Sequence, residues 1–195
     1  MVRMGHDPEK HHRQSIRMKG YDYTLPGAYF VTIVSLRRMC LFGGIENGTI
    51  IQSDIGRIVN ECWYRIPNCF EDIELDEFVL MPNHLHGLVL IYEALGKGEA
   101  FAESNLDQND NKLANASPLQ PKGTRKGSLS AVIQNFKSIS TRLVNKKYFT
   151  PGNKIWQRNY YERIIRNDRE FSAIRQYIHD NPLNWEMDQE NPEKI

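Results

Sequence analysis

The chain has 195 residues, of which 40% are hydrophobic and 25% charged, and its formal net charge at pH 7 is only +1. This size and composition are typical of one soluble globular domain and exclude a disordered chain, and no apolar run approaches the ~20 residues of a membrane-spanning helix. The three cysteines form no C-x-x-C pair, which argues against a disulfide framework and against a four-cysteine zinc site. The N-terminus is polar and basic and lacks the apolar segment of a secretory signal, so we expect a cytoplasmic protein with no membrane partner.

The first elements in chain order are a strand, a hairpin and a helix. Residues 28–36 are rich in β-branched and aromatic side chains, which predicts a strand. Residues 41–52 contain Gly-Gly and Asn-Gly turn signals, which predict a hairpin or a short edge strand. Ser53 or Asp54 can then cap a helix in which apolar residues recur every three or four positions until Pro67.

The middle of the chain predicts two paired strands, followed by a change in composition. Residues 73–81 and 84–92 both have the content of strands, and Pro82 lies in the tight turn between them. Residues 93–126 are poor in aromatic side chains and rich in Asn, Asp, Gly, Ser and Ala, which is typical of a flexible insertion.

The last elements are a helix, a strand and a helix. Apolar residues at a helical period between 129 and 143 predict an amphipathic helix with a basic outer face. Residues 154–166 have the aromatic and β-branched content of a strand. Asn167, with Glu170 three residues later, resembles a capping box and begins a final helix that Pro182 ends.

This order of elements predicts an α+β domain. The tight turn at Pro82 requires antiparallel pairing of the two strands that it joins. We therefore expect a single domain with a mostly antiparallel sheet and helices packed on one of its faces.

Two histidines begin the strand at residues 84–92. Residues two apart in a strand point to the same side, so His84 and His86 project together and could bind one divalent ion. A catalytic metal site also needs a third protein ligand and an open position. On these residues alone, the alternative is that His84 ends a turn and His86 is a hydrogen-bonded strand residue.

The final helix carries two more polar candidates. A rotation of roughly 100° per residue places Tyr177 and Asn181 on one edge of the apolar stripe, facing the sheet. A tyrosine that points at a metal site from a helix is in position to act as a nucleophile. The alternative is a core tyrosine with a backbone partner, and an asparagine that only ends the helix. His179 falls on the opposite side of the helix and is not a candidate ligand.

Several separated motifs resemble those of a known family. The segments "ELDEFVLMPNH", "MPNHLHGLV", "IWQRNYYERIIRND" and "IRQYIHDNP" are similar, in this order, to segments of the REP-associated tyrosine transposases, which form a single-tyrosine branch of the HUH endonucleases. The similarity runs from about Arg13 to Trp185, and it implies one ferredoxin-like domain over residues 13–185, with tails at residues 1–12 and 186–195. One departure is Arg163, where many relatives carry histidine. Because this position lies outside the ligand set, it bears on DNA contacts or rate more than on the basic chemistry.

The resemblance implies an enzyme that cuts and rejoins DNA. His84 and His86 would bind a catalytic Mg²⁺ or Mn²⁺ ion, Asn181 would supply the third ligand, and Tyr177 would be the nucleophile. Its attack would join the tyrosine to a 5′-phosphate and release a 3′-hydroxyl, and the reverse attack would join strands. The implied substrate is single-stranded DNA with hairpin-forming repeats. A homodimer is also an open possibility, because two chains exchange helices in insertion-sequence relatives.

Further residues are candidates for binding this DNA. Aromatic side chains can stack on bases and basic side chains can bind phosphates, although alternating aromatics in a strand equally suit a core. The segment from Lys122 to Lys147 has basic but no acidic residues, so it is either a phosphate-binding surface or a solvated helix face. The candidates are Trp156, Tyr161, Arg158, Arg163, Arg166, Lys137 and Arg142, with Arg13 and Arg17 in an N-terminal arm.

Two functions are therefore compatible with the sequence. One is a metal-dependent enzyme that nicks and transfers DNA strands, and the other is a protein that binds repeat hairpins without cutting them. The intact set of His84, His86, Tyr177 and Asn181 favours the enzyme. A metal hydrolase of small phosphoesters would require a general base or a second metal cluster, which we do not find in the sequence.

Overall fold

The helices and strands follow the predicted order. The computed structural model describes residues 25–93 and 127–192, so most of the predicted insertion and the arm with Arg13 and Arg17 lie outside the described residues. Short 3-10 helices span Leu36–Arg38 and Asn181–Met187. The main elements are β1 (Gly27–Val34), β2 (Gly43–Glu46), β3 (Thr49–Gln52), α1 (Asp54–Tyr64), α2 (Ile66–Cys69), β4 (Ile73–Leu80), β5 (His84–Ile91), α3 (Leu129–Tyr148), β6 (Tyr161–Ile165) and α4 (Asp168–Asp180).

The main sheet is antiparallel and has the strand order β4-β5-β1-β6. Its strands alternate with α1 and α3 in the chain as β1-α1-β4-β5-α3-β6, which is the βαββαβ arrangement of ferredoxin-like folds. The predicted α+β class is thus confirmed. Because β1 is central, Thr32 lies opposite both His86 on β5 and Tyr161 on β6.

The two faces of this sheet bury different side chains. On the face that we call the core face, α1 and α3 pack against Tyr29, Val31, Leu85 and Val89 in the larger apolar cluster. On the opposite face, which we call the site face, Ile178 of α4 packs in a smaller cluster with Ala28, Phe30, Leu88, Leu90 and Ile165. The expectation that all helices share one face is wrong for α4. Strands β1 and β5 are apolar on both faces, so the second face also requires cover.

One glycine allows α1 to approach the core face closely. A Cβ atom at Gly87 would lie 2.4 Å from Cζ2 of Trp63, a fully buried side chain of α1. The absence of a side chain on the core side of β5 therefore makes room for the indole. Gly87 lies directly after His86, on the other face of the strand.

Local polar groups begin the helices where the sequence predicts them. The Ser53 hydroxyl accepts a hydrogen bond from the Gly56 amide at 3.0 Å, so Ser53 rather than Asp54 caps α1. The side chain of Asn167 accepts from the Glu170 amide at 2.9 Å and caps α4. The helix predicted to run to Pro67 instead ends at Tyr64, and Pro67 lies in the first turn of α2, where a proline fits.

Two other expectations are refined. The Asn-Gly signal forms the turn between β2 and β3, a separate two-stranded hairpin, and Asn47 and Gly48 have positive φ angles of 51° and 71°. The strand predicted over residues 154–166 is continuous only in β6. Upstream of β6, Trp156 forms an isolated bridge with Ser35. Within residues 25–93 and 127–192, no helix is long and apolar enough to cross a membrane.

Candidate active site

His84 and His86 lie side by side on the site face of β5. Their Nε2 atoms are 3.1 Å apart, and both side chains are buried. The prediction that the two imidazoles project together is confirmed by this geometry. Two nitrogen lone pairs at this distance repel each other. The pair is therefore stable only if the two nitrogens share a proton or a cation.

The outer ring nitrogens are held by two polar neighbours. Nδ1 of His84 lies 2.8 Å from Oδ1 of Asn83, and Nδ1 of His86 lies 2.8 Å from the Thr32 hydroxyl. An amide oxygen only accepts hydrogen bonds, so His84 must carry its proton on Nδ1 and present a lone pair on Nε2. The Thr32 hydroxyl can donate or accept, so it orients His86 without fixing its tautomer.

Burial keeps both imidazoles neutral at pH 7. It lowers the pKa of His84 to about 3. Burial likewise lowers the pKa of His86 to about 3, with a further lowering by His84 and an opposing contribution from Asp188. The neutral ring is the form that binds metal ions, so these histidines can bind an ion without first losing a proton.

A carboxylate that the sequence analysis missed lies beside the histidines. Oδ2 of Asp188 is 3.8 Å from Nε2 of His84, and one ligand atom from each of His84, His86 and Asp188 lies within 4.8 Å of the others. Asp188 follows the 3-10 helix Asn181–Met187. It is one of several acidic residues near the end of the chain, and no spacing or periodicity distinguishes it from the rest.

The segment around Asp188 was expected to be a tail, and this expectation is wrong for residues 186–192. The Glu190 amide donates to Oδ1 of Asp188 at 2.6 Å, and the Glu190 carbonyl accepts from Nδ2 of Asn83 at 2.6 Å. The Glu190 carboxylate also pairs with Nε of Arg38 at 2.9 Å. These polar contacts fix the segment, although its sequence has neither a helical nor a strand period.

Tyr177 reaches the histidines from α4 of the same chain. Its hydroxyl lies 3.2 Å from Nε2 of His86, and its ring contacts Phe30 edge to face. The side chain is still 48% exposed, so the hydroxyl lies at the boundary between the protein and solvent. Burial, and then the charge of Asp188, raise the pKa of Tyr177, whereas a hydrogen bond with Asn181 lowers it. The phenol therefore stays protonated at neutral pH.

Asn181 lies next to this tyrosine, at the C-terminal end of α4. Its side chain is buried, and among the residues that the structure describes its Oδ1 atom has no hydrogen-bond partner. A buried carbonyl oxygen without a partner costs free energy unless a ligand satisfies it. The resemblance implies that Asn181 is a metal ligand, and the free oxygen is the atom that such a role requires.

This set of donors fits a divalent cation. Two neutral imidazole nitrogens and a carboxylate oxygen converge, and an unsatisfied amide oxygen belongs to the residue beside Tyr177. All of these atoms are electron-rich, and mixed nitrogen and oxygen ligands suit Mn²⁺ and can also serve Mg²⁺. The described part of the chain therefore offers a candidate metal site directly beside a phenol.

Some of the candidate DNA-binding residues share the site face. Tyr161 and Arg163 lie on β6, opposite Thr32 and Phe30 of β1, and both are exposed. Arg163 forms an ion pair with Glu170 at 2.5 Å. Arg166 is exposed just before the cap of α4. Tyr161 is thus an accessible aromatic ring one strand away from the row that holds His86.

The expectation that Trp156 stacks on DNA bases is wrong. Its side chain is only 5% exposed and packs against Phe42 and Phe136 in the large apolar cluster. Its indole N–H donates to the Ser140 hydroxyl at 2.9 Å. The strand pattern could not separate an outward ring from an inward one, because the chain leaves the regular ladder before β6.

The other basic candidates line a groove beside α3, on the side of the core face. This basic groove has a volume of about 680 Å³ and is bounded by α3 and the segment 151–158. Nζ of Lys137 donates to the carbonyls of Gln157 and Asn159, and its burial lowers the pKa of the ammonium to about 8. Lys137 therefore holds the loop on both sides of the exposed Arg158. The basic side chains that line the groove are Lys137, Arg142, Lys146, Lys154 and Arg158.

Comparisons with known proteins show which proteins the chain resembles. A family model described as "Transposase IS200 like" matches residues 122–181, which include Tyr177 and Asn181 but not the two histidines. An uncharacterized protein of Haemophilus influenzae is 40% identical over 179 residues, which cover 92% of this chain and 93% of that relative. Among solved structures, a REP-associated tyrosine transposase bound to a REP hairpin is similar with a TM-score of 0.54 and 16% identity, over 85% of this chain and 72% of that one. The last similarity is one of fold.

Proposed function

Because the chain belongs to the family of IS200-like transposases, we propose that it is a metal-dependent enzyme that cuts and rejoins single-stranded DNA beside hairpin-forming repeats. The observation that carries this proposal is the position of the Tyr177 hydroxyl, 3.2 Å from Nε2 of His86. A nucleophile and a candidate metal site thus lie together within one chain. The arrangement does not depend on a second subunit, although a homodimer is compatible with it.

The metal ligands in this proposal are His84, His86 and Asp188, with Asn181 as a further oxygen donor. An Mg²⁺ or Mn²⁺ ion held there would supply Lewis-acid polarisation of the scissile phosphate. The histidines need no deprotonation to bind it, because burial already keeps them neutral. Asp188 adds a negative charge that favours a cation over a water molecule at this position.

The covalent step belongs to Tyr177. The phenol gives up its proton to solvent as its oxygen attacks the phosphorus, a bond between the tyrosine oxygen and phosphorus forms, and the bond from phosphorus to the 3′-oxygen breaks. The 3′-oxygen takes up a proton from solvent and leaves as a hydroxyl, while the 5′-phosphate stays on the tyrosine. A 3′-hydroxyl that attacks the phosphotyrosine reverses these changes, so rejoining needs no other source of energy.

A hydrogen bond at Nε2 of His86 connects the Tyr177 hydroxyl to the proposed metal site. This nitrogen cannot accept the phenolic proton and bind an ion with the same lone pair. Tyr177 would therefore have to release this hydrogen bond for His86 to bind an ion. Burial and Asp188 raise the pKa of the phenol, and a cation held beside it would oppose that rise.

Two surfaces of the described chain suit the DNA. Tyr161 can stack on an unpaired base and Arg163 and Arg166 can bind phosphates on the site face, where cleavage would occur. The basic groove beside α3 offers Arg142 and Arg158 to a phosphate backbone. The fold shared with a transposase bound to a REP hairpin supports a hairpin as the DNA element.

The test is to trap the covalent intermediate. Hairpin oligonucleotides with single-stranded flanks, labelled at either end, are incubated with Mg²⁺ or Mn²⁺ and run on a denaturing gel. We expect the 3′-labelled fragment to migrate with the protein and the 5′-labelled fragment to be released with a 3′-hydroxyl. Tyr177→Phe should abolish the adduct. Tyr64→Phe, which alters an exposed tyrosine of α1, is the matched control and should retain it.

The outcomes separate the alternatives. An adduct that persists in Tyr177→Phe would show that another residue is the nucleophile. Tight binding of the hairpin by the wild-type protein, with no adduct on any single strand and with either ion, would favour a DNA-binding protein without cleavage activity.

A further inference from the structure

Asn83, the residue before His84, is completely buried and uses its whole side-chain amide. Its Nδ2 donates to the carbonyl of Arg38 at 3.1 Å and to the carbonyl of Glu190 at 2.6 Å. Two carbonyls on one side determine the orientation of the amide, because an oxygen at that position would face only other oxygens. The Oδ1 atom therefore points to His84, at 2.8 Å from Nδ1.

The first consequence concerns the tautomer of His84. Because Oδ1 of Asn83 only accepts, the His84 proton is held on Nδ1 and the Nε2 lone pair faces His86 and Asp188. In the other tautomer, Nε2 would carry the proton and could not bind an ion. Hydrogen bonds to the outer nitrogen of a ligating histidine commonly set its tautomer and raise its basicity.

The second consequence concerns Asp188, which lies more than a hundred residues later in the chain. The same amide holds the Glu190 carbonyl, and the Glu190 backbone N–H in turn donates to Oδ1 of Asp188 at 2.6 Å. This leaves Oδ2 of Asp188 facing Nε2 of His84 at 3.8 Å. Arg38 connects the same groups a second time. Its carbonyl accepts from Nδ2 of Asn83, and its side chain forms an ion pair with the Glu190 carboxylate.

We propose that Asn83 is a positioning residue that presents two metal ligands at once, His84 from the sheet and Asp188 from the segment after α4. The inference rests on the metal site of the proposed function. Asn83 does not touch the ion or the DNA, and it acts through the imidazole and through the Glu190 backbone. Thr32 makes only the corresponding contact to His86 and reaches no residue of the C-terminal segment.

Two substitutions separate the two tasks of the amide. Asn83→Asp keeps an acceptor for the His84 proton and loses the donor to Glu190, whereas Asn83→Leu loses both. In metal-free protein, long-range ¹⁵N NMR spectra should show the Nδ1–H tautomer of His84 in the wild type and in Asn83→Asp. In Asn83→Leu we expect a mixture of tautomers. Asn68→Leu, which alters an exposed asparagine of α2, is the control.

The second measurement is the affinity for Mn²⁺, determined by titration calorimetry. Asn83→Leu should bind Mn²⁺ about 10- to 100-fold more weakly than the wild type, and Asn83→Asp, which loses only the donor to Glu190, should show a smaller loss of affinity. Asp188→Asn should weaken binding in the wild type. Combined with Asn83→Leu, it should cost less than the product of the two single losses, because Asn83 acts partly through Asp188.

The inference is overturned if Asn83→Leu, corrected for its folded fraction, has the wild-type tautomer and the wild-type Mn²⁺ affinity. It is also overturned if its loss multiplies fully with that of Asp188→Asn. A wild-type protein that binds Mn²⁺ but forms no DNA adduct contradicts the proposed cleavage and leaves the role of Asn83 intact. A wild-type protein that does not bind Mn²⁺ contradicts both.

Discussion

The two faces of the sheet use the same strands for different purposes. Along β5, Leu85, Gly87 and Val89 point to the core face, where they meet α1 and α3. The intervening His84 and His86 point to the site face, where one helix covers a smaller apolar cluster. The core face therefore contributes most of the buried apolar contact, and the site face carries the candidate catalytic groups.

This difference explains how a small domain can hold two buried imidazoles. Burying polar groups costs free energy. Apolar burial on the core face stabilises the fold and offsets this cost on the site face. The imidazoles are fixed by strand geometry and by Asn83 and Thr32 rather than by apolar packing. If the core face stabilises the fold and the site face holds the metal ligands, a substitution on the core face should lower stability and leave Mn²⁺ affinity unchanged. Four experiments test this division.

The largest expected effect of a single substitution is on the core face. Leu85→Ala leaves a cavity between β5 and the helices and should lower the free energy of unfolding by about 3 kcal/mol, measured by urea denaturation. Under native conditions the folded variant should bind Mn²⁺ as the wild type does. Leu183→Ala, at an exposed leucine, is the control and should change stability by less than about 0.5 kcal/mol. A large loss of Mn²⁺ affinity in Leu85→Ala would contradict the division between the faces.

The next effect is a pH dependence that arises on the site face. In the folded protein the pKa of His84 and of His86 is about 3, whereas in the unfolded chain both return to about 6.5. Below pH 6.5 the unfolded chain binds protons that the folded protein does not, so stability falls as the pH falls toward 3. At pH 5 and without metal, the cost relative to pH 7.5 is about 2 kcal/mol for each histidine.

Unfolding curves in urea across this pH range measure the effect. A protein with both His84→Gln and His86→Gln should have a flatter profile than the wild type. His179→Gln, at an exposed histidine of α4, should leave the profile unchanged. A wild-type profile that is flat between pH 7.5 and pH 5 would mean that the imidazoles are accessible to solvent protons.

A smaller effect is expected at Thr32. Thr32→Val keeps the shape of the side chain but removes the hydroxyl 2.8 Å from Nδ1 of His86. Mn²⁺ affinity, measured by calorimetry, should fall by about tenfold, at the low end of the range for such supporting contacts. Thermal stability without metal should also fall, because Nδ1 of the buried His86 loses its hydrogen-bond partner. An unchanged Mn²⁺ affinity would show that strand geometry alone orients His86.

The smallest effect concerns the basic groove on the side of the core face. Arg158→Gln should weaken binding of a hairpin oligonucleotide and lower the dependence of log Kd on log salt concentration by about 1. Adduct formation at saturating DNA should be preserved, because the groove lies away from Tyr177. Arg57→Gln on α1 is the control. A loss of adduct formation at saturating DNA would mean that the groove also positions the scissile strand.

Patterns with a fixed period predicted most of the fold and the positions of four residues of the candidate site. Strand alternation placed His84 and His86 on one face, and helical geometry placed Tyr177 and Asn181 on the inner edge of α4. Single polar residues at helix starts, Ser53 and Asn167, defined the caps correctly. Each of these features depends on residues that are close in the chain.

The parts that the sequence did not predict depend on contacts between distant residues. Asp188 reaches His84 only because Asn83 and Arg38 hold Glu190, and no local pattern encodes that contact. Trp156 is buried because the chain departs from the ladder before β6, which a strand pattern does not reveal. The cover of α4 on the second face was also not predicted. It is needed because β1 has apolar residues on both faces, whereas a rule of alternation assumes one buried face.

The separation of Asp188 and Tyr177 from the histidines along the chain has a consequence during synthesis. The sheet strands β1, β4 and β5 are translated long before residues 177–188. A growing polypeptide on the ribosome therefore exposes the paired imidazoles before the phenol and the carboxylate exist. These strands can therefore pair before the proposed nucleophile and the carboxylate have been made, and the proposed reaction with DNA would become possible only after both residues emerge.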